Sequence, residues 1–292
     1  MIVASKREKL GYYLFLAPAF LVFLVFIFIP MIASFVLSFF SYSMTTIKEP
    51  EFVGLKNFIT LFQTPVFRTA MKNTVVYTAF TVPTTMACGL CIALLINSRL
   101  VRRKNFYKVC YYIPYVSSMV AVAIVFSLVF NSSPNGIMNQ ILGKLGIAPV
   151  VWLSNDKWAM FVVVLLSVWK ELGYVMVIYT GGLLSISQDI YEAVSLDPIS
   201  SWKKLIYITL PMLRPTTLFL LVVETIGSFQ VFTPVQIMTN GGPGYSTTTI
   251  VTYLYQKGFQ EYKMGMASAI AVIMFVILLF LSILQNKATS ER

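Results

Sequence analysis

The chain has 292 residues, 58% hydrophobic and only 11% charged, with a mean hydropathy of +0.79. That leaves too little polar surface to cover a water-soluble globule of this length, so lipid is the solvent it matches. The absence of histidine excludes His-based catalysis and His metal ligation. The net charge of +11 lies in short connections between apolar runs rather than on one soluble face, which makes nucleic acid an unexpected partner.

A spanning helix needs about 20 mostly apolar residues. In chain order the candidates are 11 to 40, 72 to 97, 107 to 130, 158 to 183, 216 to 238 and 265 to 285. These runs are continuous rather than alternating, which excludes a barrel. The expected class is an all-α integral membrane protein of six transmembrane helices, with residues 1–292 forming one transmembrane domain. The first run follows Lys6, Arg7, Glu8 and Lys9 as a signal peptide would, but it is too long and lacks a small-residue cleavage site, so it reads as an uncleaved first span.

With the amino terminus inside, the inner segments carry thirteen Lys and Arg residues against eight outside, and the cluster from Arg99 to Lys108 dominates that difference. Both termini are therefore expected in the cytoplasm. Pro18 and Pro30 fall in the first span, Pro83 in the second, Pro114 in the third and Pro234 in the fifth. Such kinks suit a bundle that encloses a pathway, and ordinary packing kinks explain them equally well. Cys88, Cys91 and Cys110 have no paired spacing and are expected to be small buried hydrophobes.

The longest inner connection runs from about 184 to 215. Gln188 to Val194 reads as a short helix with acidic residues near its start, Pro198 forces a break, and Ser200 or Ser201 can cap a second helix from Trp202 to Leu210, ending before Pro211. Tyr191, Trp202, Leu205 and Ile206 would form an exposed apolar knob, which points to a protein partner.

Glu192-Ala193-Val194, then Asp197 and Ile208-Thr209-Leu210-Pro211, resemble the EAA loop of binding-protein-dependent ABC importer permeases. That pattern runs Glu-Ala-Ala, Asp-Gly, then Ile-x-Leu-Pro, and here Val194 replaces the second Ala and Pro198 the Gly. Gln236 to Pro243 with Thr247-Thr248-Thr249 is similar to the Thr-x-Gly-Gly-Pro outer loop of the maltose-type and glycerol-phosphate-type first permease. Phe52 to Phe58 and Ile113-Pro114-Tyr115 resemble two further phrases of that carbohydrate branch, in the same order.

The resemblance implies a type I ABC importer permease bundle in a bacterial plasma (inner) membrane, taking up a sugar or oligosaccharide. Its implied partners are a second homologous permease, a cytoplasmic ATPase dimer and an extracellular solute-binding protein, with the saccharide and membrane lipid around it. The chain has no Gly-x-x-x-x-Gly-Lys-Ser/Thr phosphate loop, so ATP and Mg are expected on the partner ATPase and neither a cofactor, a metal nor a catalytic residue in this chain. Tyr191, Glu192, Ala193, Asp197 and Pro198 are the implied ATPase-coupling residues. The implied sugar-site positions are Tyr115, Met119, Ser167, Lys170, Glu171, Tyr174, Ser228 and Gln230, with Trp169 packing. Aromatic faces stack on sugar rings, while hydroxyl, amide and charged groups bond sugar hydroxyls.

Lys170 could instead pair with Glu171 or Glu224, and an unpaired Lys170 would suit an anionic ligand. Other readings are a permease for another solute class, such as glycerol phosphate, an acidic saccharide or an amino acid, and an intramembrane enzyme using Glu171 and Glu224.

Overall fold

The computed structural model describes residues 6–45, 49–98, 101–195 and 200–290. Helix α1 (Lys6–Phe23) continues through a π-helical turn at Leu24–Phe28 into α2 (Ile29–Leu37). A hairpin follows, β1 (Phe40–Ser41) pairing antiparallel with β2 (Glu51–Phe52), with Phe40 opposite Phe52, and then α3 (Lys56–Gln63). Helices α4 (Pro65–Asn97), α5 (Lys104–Val116), α6 (Met119–Val129), α7 (Ile137–Lys144) and α8 (Asp156–Ser185) come next. The short α9 (Gln188–Ser195) and α10 (Ser201–Lys204) lead through a second π-helical turn, Leu205–Thr209, into α11 (Leu210–Met212) and α12 (Arg214–Phe229). Helices α13 (Thr233–Met238), α14 (Ile250–Tyr255) and α15 (Met264–Ser290) complete the chain, with a third π-helical turn at Gln256–Gln260.

Among the described residues, five helical segments are long and apolar enough to cross a membrane: Leu14–Leu37, Pro65–Asn97, Asp156–Ser185, Arg214–Met238 and Met264–Lys287. The third predicted span is not one helix. Its two halves, α5 and α6, meet at 93°, because Ser117 and Ser118 are extended (ψ 150° and 125°). The first span also stops short of its predicted end at 40, since Phe40 has joined the hairpin.

Proline ends fewer helices than the sequence suggests. A Pro ring cannot donate an amide bond and crowds the carbonyl one turn back. Ahead of both Pro30 and Pro211 the helix widens into a π turn, with Ile29 bonding Leu24 O and Leu210 bonding Leu205 O, and it then passes the proline intact. The second helix of the inner connection consequently runs to Met212 instead of ending before Pro211.

The chain divides into two compact units, residues 1–64 with 254–276 and residues 65–253 with 277–292. In the first, Asn57 is buried and its amide donates to the carbonyls of Ser38 and Phe40, both at 2.9 Å, which fixes α3 to the start of the hairpin. Gly265 touches the Phe40 carbonyl so closely that a Cβ there would overlap it. Glu261 sits between Lys257 and Lys263. Burial pushes its carboxyl up, but hydrogen bonds from the two ammonium groups win and hold it below the usual carboxylate range. No residue from Leu14 to Leu37 is buried, as expected of a helix whose sides are covered by lipid.

In the second unit α8 is central, packing against α4, α5, α12 and α13. Asn155 caps it by accepting from the Lys157 amide at 2.9 Å, and Asp156 lies in the first turn, where the helix dipole favours an acid. Glycines let the neighbours approach. A Cβ on Gly89 of α4 would lie 2.6 Å from Val175 Cγ1, and one on Gly182 of α8 would lie 2.6 Å from Thr216 Oγ1 of α12. Two apolar clusters result. One gathers Val82, Met86, Val175, Met176, Tyr179, Leu213 and Leu220, and the other Tyr77, Ala123, Phe130, Trp152, Val163, Leu166 and Val235.

The connection between α6 and α8 is organised by buried Asn139. Its amide donates to the Ser133 and Val150 carbonyls at 2.9 and 3.0 Å, and its Oδ1 accepts from the Val150 amide and Trp152 Nε1. Asn139→Leu is expected to cost about 1–3 kcal/mol for each buried group left unpaired. Limited proteolysis should then cleave the segment from 131 to 155 faster than in the unaltered protein; equal resistance would show that the network is dispensable.

The three cysteines depart from expectation, since Cys88 is half-buried and Cys91 and Cys110 are exposed. A weakly polar thiol is tolerated by apolar surroundings such as these helices offer.

Candidate functional site

A cavity of about 420 Å³ lies in the second unit, within the ~300–1,000 Å³ typical of ligand pockets. Its place follows from where the apolar clusters stop. On α4 the lining residues Tyr77 and Thr81 fall beside Val82; on α8 Ser167, Glu171 and Tyr174 fall between Leu166 and Val175; on α12 Glu224, Gly227 and Ser228 follow Leu220. Each set repeats at three or four residues, so one polar stripe on each helix faces a common space.

Seven of the eight expected sugar-site residues line this cavity: Tyr115, Met119, Ser167, Glu171, Tyr174, Ser228 and Gln230. Tyr115 and Tyr174 stack with ring centroids 5.0 Å apart and planes 18° from parallel. Tyr115 is delivered from the last turn of α5 and Met119 from the first of α6, so the bend in the third predicted span aims both at the cavity. Gln230 follows the end of α12, where the chain breaks before α13.

Lys170, expected at the sugar site or paired with Glu171 or Glu224, is the exception. Its side chain is buried at 6% exposure and is absent from the cavity lining. The ammonium donates to the carbonyls of Pro114, Tyr115 and Ser117 at 3.1, 2.8 and 2.8 Å. These oxygens belong to the end of α5, where a helix leaves carbonyls without partners and a cation is favourable. All three N–H donors are thereby used, and among the described residues Lys170 forms no ion pair with Glu171 or Glu224. Trp169 packs on Phe126, with centroids 5.5 Å apart.

Tyr77, Thr81, Glu224, Phe232 and Thr233 also line the cavity without having been singled out for it. Tyr77 and Thr81 carried a signal, two polar groups one turn apart inside an apolar run. The sequence offers Glu224 as an ion-pair partner for Lys170 or as an acid of a different chemistry. The fold instead places it on the same wall as Glu171.

In the inner connection, Ser200 rather than Ser201 supplies the cap, its Oγ accepting from the Lys203 amide at 3.4 Å. Tyr191 is partly buried, its hydroxyl 3.3 Å from Thr209 Oγ1 and its ring under Lys204 Nζ at 4.5 Å. Leu205 is also partly buried, so the exposed apolar knob narrows to Trp202, Ile206 and Tyr207, with Trp202 at 68% exposure. Glu192 lies exposed on α9, and Ala193 is in the same helix. Asp197 and Pro198 lie outside the described residues.

The phrase from Thr239 to Thr249 folds into a tight turn. Asn240 and Gly241 have φ of 48° and 82°, and the Gly241 carbonyl accepts from Thr248 Oγ1 at 2.9 Å. A Cβ on Gly241 would lie 2.5 Å from that hydroxyl, which requires glycine there.

The family model of the binding-protein-dependent transport system inner membrane component matches residues 86–288. The arabinooligosaccharides transport system permease protein AraP of Bacillus subtilis (strain 168) is 36% identical over 285 residues, covering 97% of this chain and 90% of the relative. The lactose transport system permease protein LacF of Rhizobium radiobacter is 33% identical over 302 residues, the full length of both. A chain from the crystal structure of a bacterial ABC transporter involved in the import of the acidic polysaccharide alginate superimposes with a TM-score of 0.85 at 27% identity, covering 98% of this chain and 96% of that one. A second, from the alginate transporter in complex with an alginate pentasaccharide-bound periplasmic protein, gives 0.82 at 28% identity, over 97% and 94%. The protein is thus a multi-pass membrane component of an ABC importer with the type I permease fold, and it belongs to the family of binding-protein-dependent transport system inner membrane components.

Proposed function

We propose that this permease carries a saccharide through the bacterial inner membrane, and that the cavity between the two apolar clusters is its half of the solute site. The observation that carries the reading is the convergence of Tyr115, Met119, Ser167, Glu171, Tyr174, Ser228 and Gln230 on one cavity, with a stacked tyrosine pair among hydroxyl, amide and carboxylate groups. Stacking surface beside hydrogen-bonding groups matches the alternating apolar faces and hydroxyls of sugar rings. The arabinooligosaccharide, lactose and alginate importers to which the chain is similar point the same way.

The bent pair α5 and α6 is taken as the third of six crossings, with both termini in the cytoplasm and the whole chain as one transmembrane domain. The solute-binding protein would deliver to the opposite face, including the turn from Thr239 to Thr249, and a second, related permease would supply the other half of the pathway. Energy would come from a cytoplasmic ATPase dimer that binds ATP and Mg and grips α9, with the knob of Trp202, Ile206 and Tyr207 in the interface. Closure of that dimer would rock the permeases between inward-open and outward-open states.

Co-purification from native membranes tests the assembly. A second permease and a phosphate-loop ATPase should be recovered with the tagged chain, and recovery of the chain alone and stable would remove the proposal. With Glu192→Ala, uptake and solute-stimulated ATP hydrolysis are expected to fall about tenfold or more, the loss that ~1.4 kcal/mol of docking free energy produces. Unchanged coupling in that variant would remove α9 from the transmission path.

A further inference from the structure

Among the described residues no Lys or Arg lines the cavity, whereas two carboxylates do, Glu171 from α8 and Glu224 from α12. Among the described residues neither carboxylate has an ion-pair partner. The nearest candidate in sequence, Lys170, is turned behind Tyr115, its ammonium 5.8 Å from that ring's centroid and bonded to three carbonyls. The remaining polar groups on the wall are hydroxyls and one amide, from Tyr77, Thr81, Tyr115, Ser167, Tyr174, Ser228, Gln230 and Thr233.

We propose that Glu171 and Glu224 act as a charge filter, so that the saccharide accepted at this wall is neutral and uronate-type sugars are disfavoured. The inference rests on the saccharide reading above and narrows it. An ionised carboxylate only accepts hydrogen bonds, and sugar hydroxyls donate to it strongly. A uronate carboxylate also only accepts, so against this wall it meets like charge without a donor of matching charge. Apolar helices around the cavity lower the local dielectric, which raises the cost of leaving that charge unpaired.

The test uses the purified importer, this chain with its permease partner and ATPase, in detergent and without the solute-binding protein, so that the latter's own preference does not enter. Equilibrium dialysis at neutral pH compares radiolabelled maltotriose, arabinotriose and lactose with trigalacturonate and trimannuronate. The best-retained neutral probe should exceed the best acidic one by about tenfold or more, and the assembled Glu171→Gln, Glu224→Gln double variant should shrink that ratio about tenfold. If the double variant fails to assemble, each single Gln variant is compared in its place. Acidic probes held as well as neutral ones by the unaltered importer would overturn the filter alone. So would a ratio unmoved in assembled variants. Retention of no saccharide of either charge would instead remove the saccharide reading, and the filter with it.

Discussion

Replacing Lys170 by Met is expected to reduce uptake of every solute the importer carries, neutral and acidic in equal proportion, and to lower the amount of assembled complex recovered from membranes. Met keeps the length and apolar stem but removes all three donors, so the carbonyls of Pro114, Tyr115 and Ser117 lose a charged partner together. The Pro114 carbonyl keeps the Ser117 amide at 3.2 Å, whereas the partly buried Tyr115 and Ser117 carbonyls lose the ammonium at a cost of up to about 1–3 kcal/mol each. The sum is a large part of a stability that is normally only ~5–15 kcal/mol. Lys170→Arg should retain part of the function, because a guanidinium can still donate to several oxygens, although its planar fork fits a helix end less well. Selective loss of acidic uptake with normal assembly would instead mean that Lys170 meets the solute.

Gly173→Val is expected to be at least as damaging, for a steric reason acting at the same junction. Even a Cβ at this position would overlap the Tyr111 carbonyl oxygen and crowd Tyr112 Cα, and these are backbone atoms that cannot swing aside. Lys170, Gly173 and Tyr174 are one helical turn of α8, and all three contact α5: the first at its terminal carbonyls, the second at Tyr111, the third by stacking on Tyr115. Pushing α5 outward therefore breaks the Lys170 bonds and opens the wall that Tyr115 provides. Overpacking typically costs about 1–3 kcal/mol when side chains can move, and more is expected where backbone must. The thermal unfolding midpoint of the purified complex measures the effect. A Gly173→Val protein with normal stability and uptake would show that α5 is free to shift. By contrast Gly181, on the next turns of the same helix, has no atom near its Cβ position, and Gly181→Ala is the matched control.

Much of this site was legible because its signals are local. Polar residues at positions 167, 171 and 174 recur at helical spacing inside an apolar run, and the phrases around Glu192, Asn240 and Tyr115 are contiguous in sequence. The π turns ahead of Pro30 and Pro211 were less visible, since a proline signals a lost hydrogen bond without saying whether the helix ends or widens around it. The break at Ser117 and Ser118 was hidden for a similar reason. Hydropathy records that 107 to 130 is apolar enough to span, but it carries no information on direction, and the helix end left open at the 93° turn is met by an ammonium 53 residues away.

Composition and periodicity by themselves determined that the chain lies in lipid, that it is helical, and that α8 carries polar groups at helical spacing, because hydrophobic length and helical spacing are properties of contiguous residues. The tertiary structure alone decided which of two adjacent charges faces the cavity. Glu171 and Lys170 are neighbours in sequence but lie about a quarter turn apart on α8, so one reaches the cavity while the other is drawn to the carbonyls at the end of α5. Charge near a pathway becomes charge in it only through where each side chain finds its hydrogen bonds, and those partners come from distant parts of the chain.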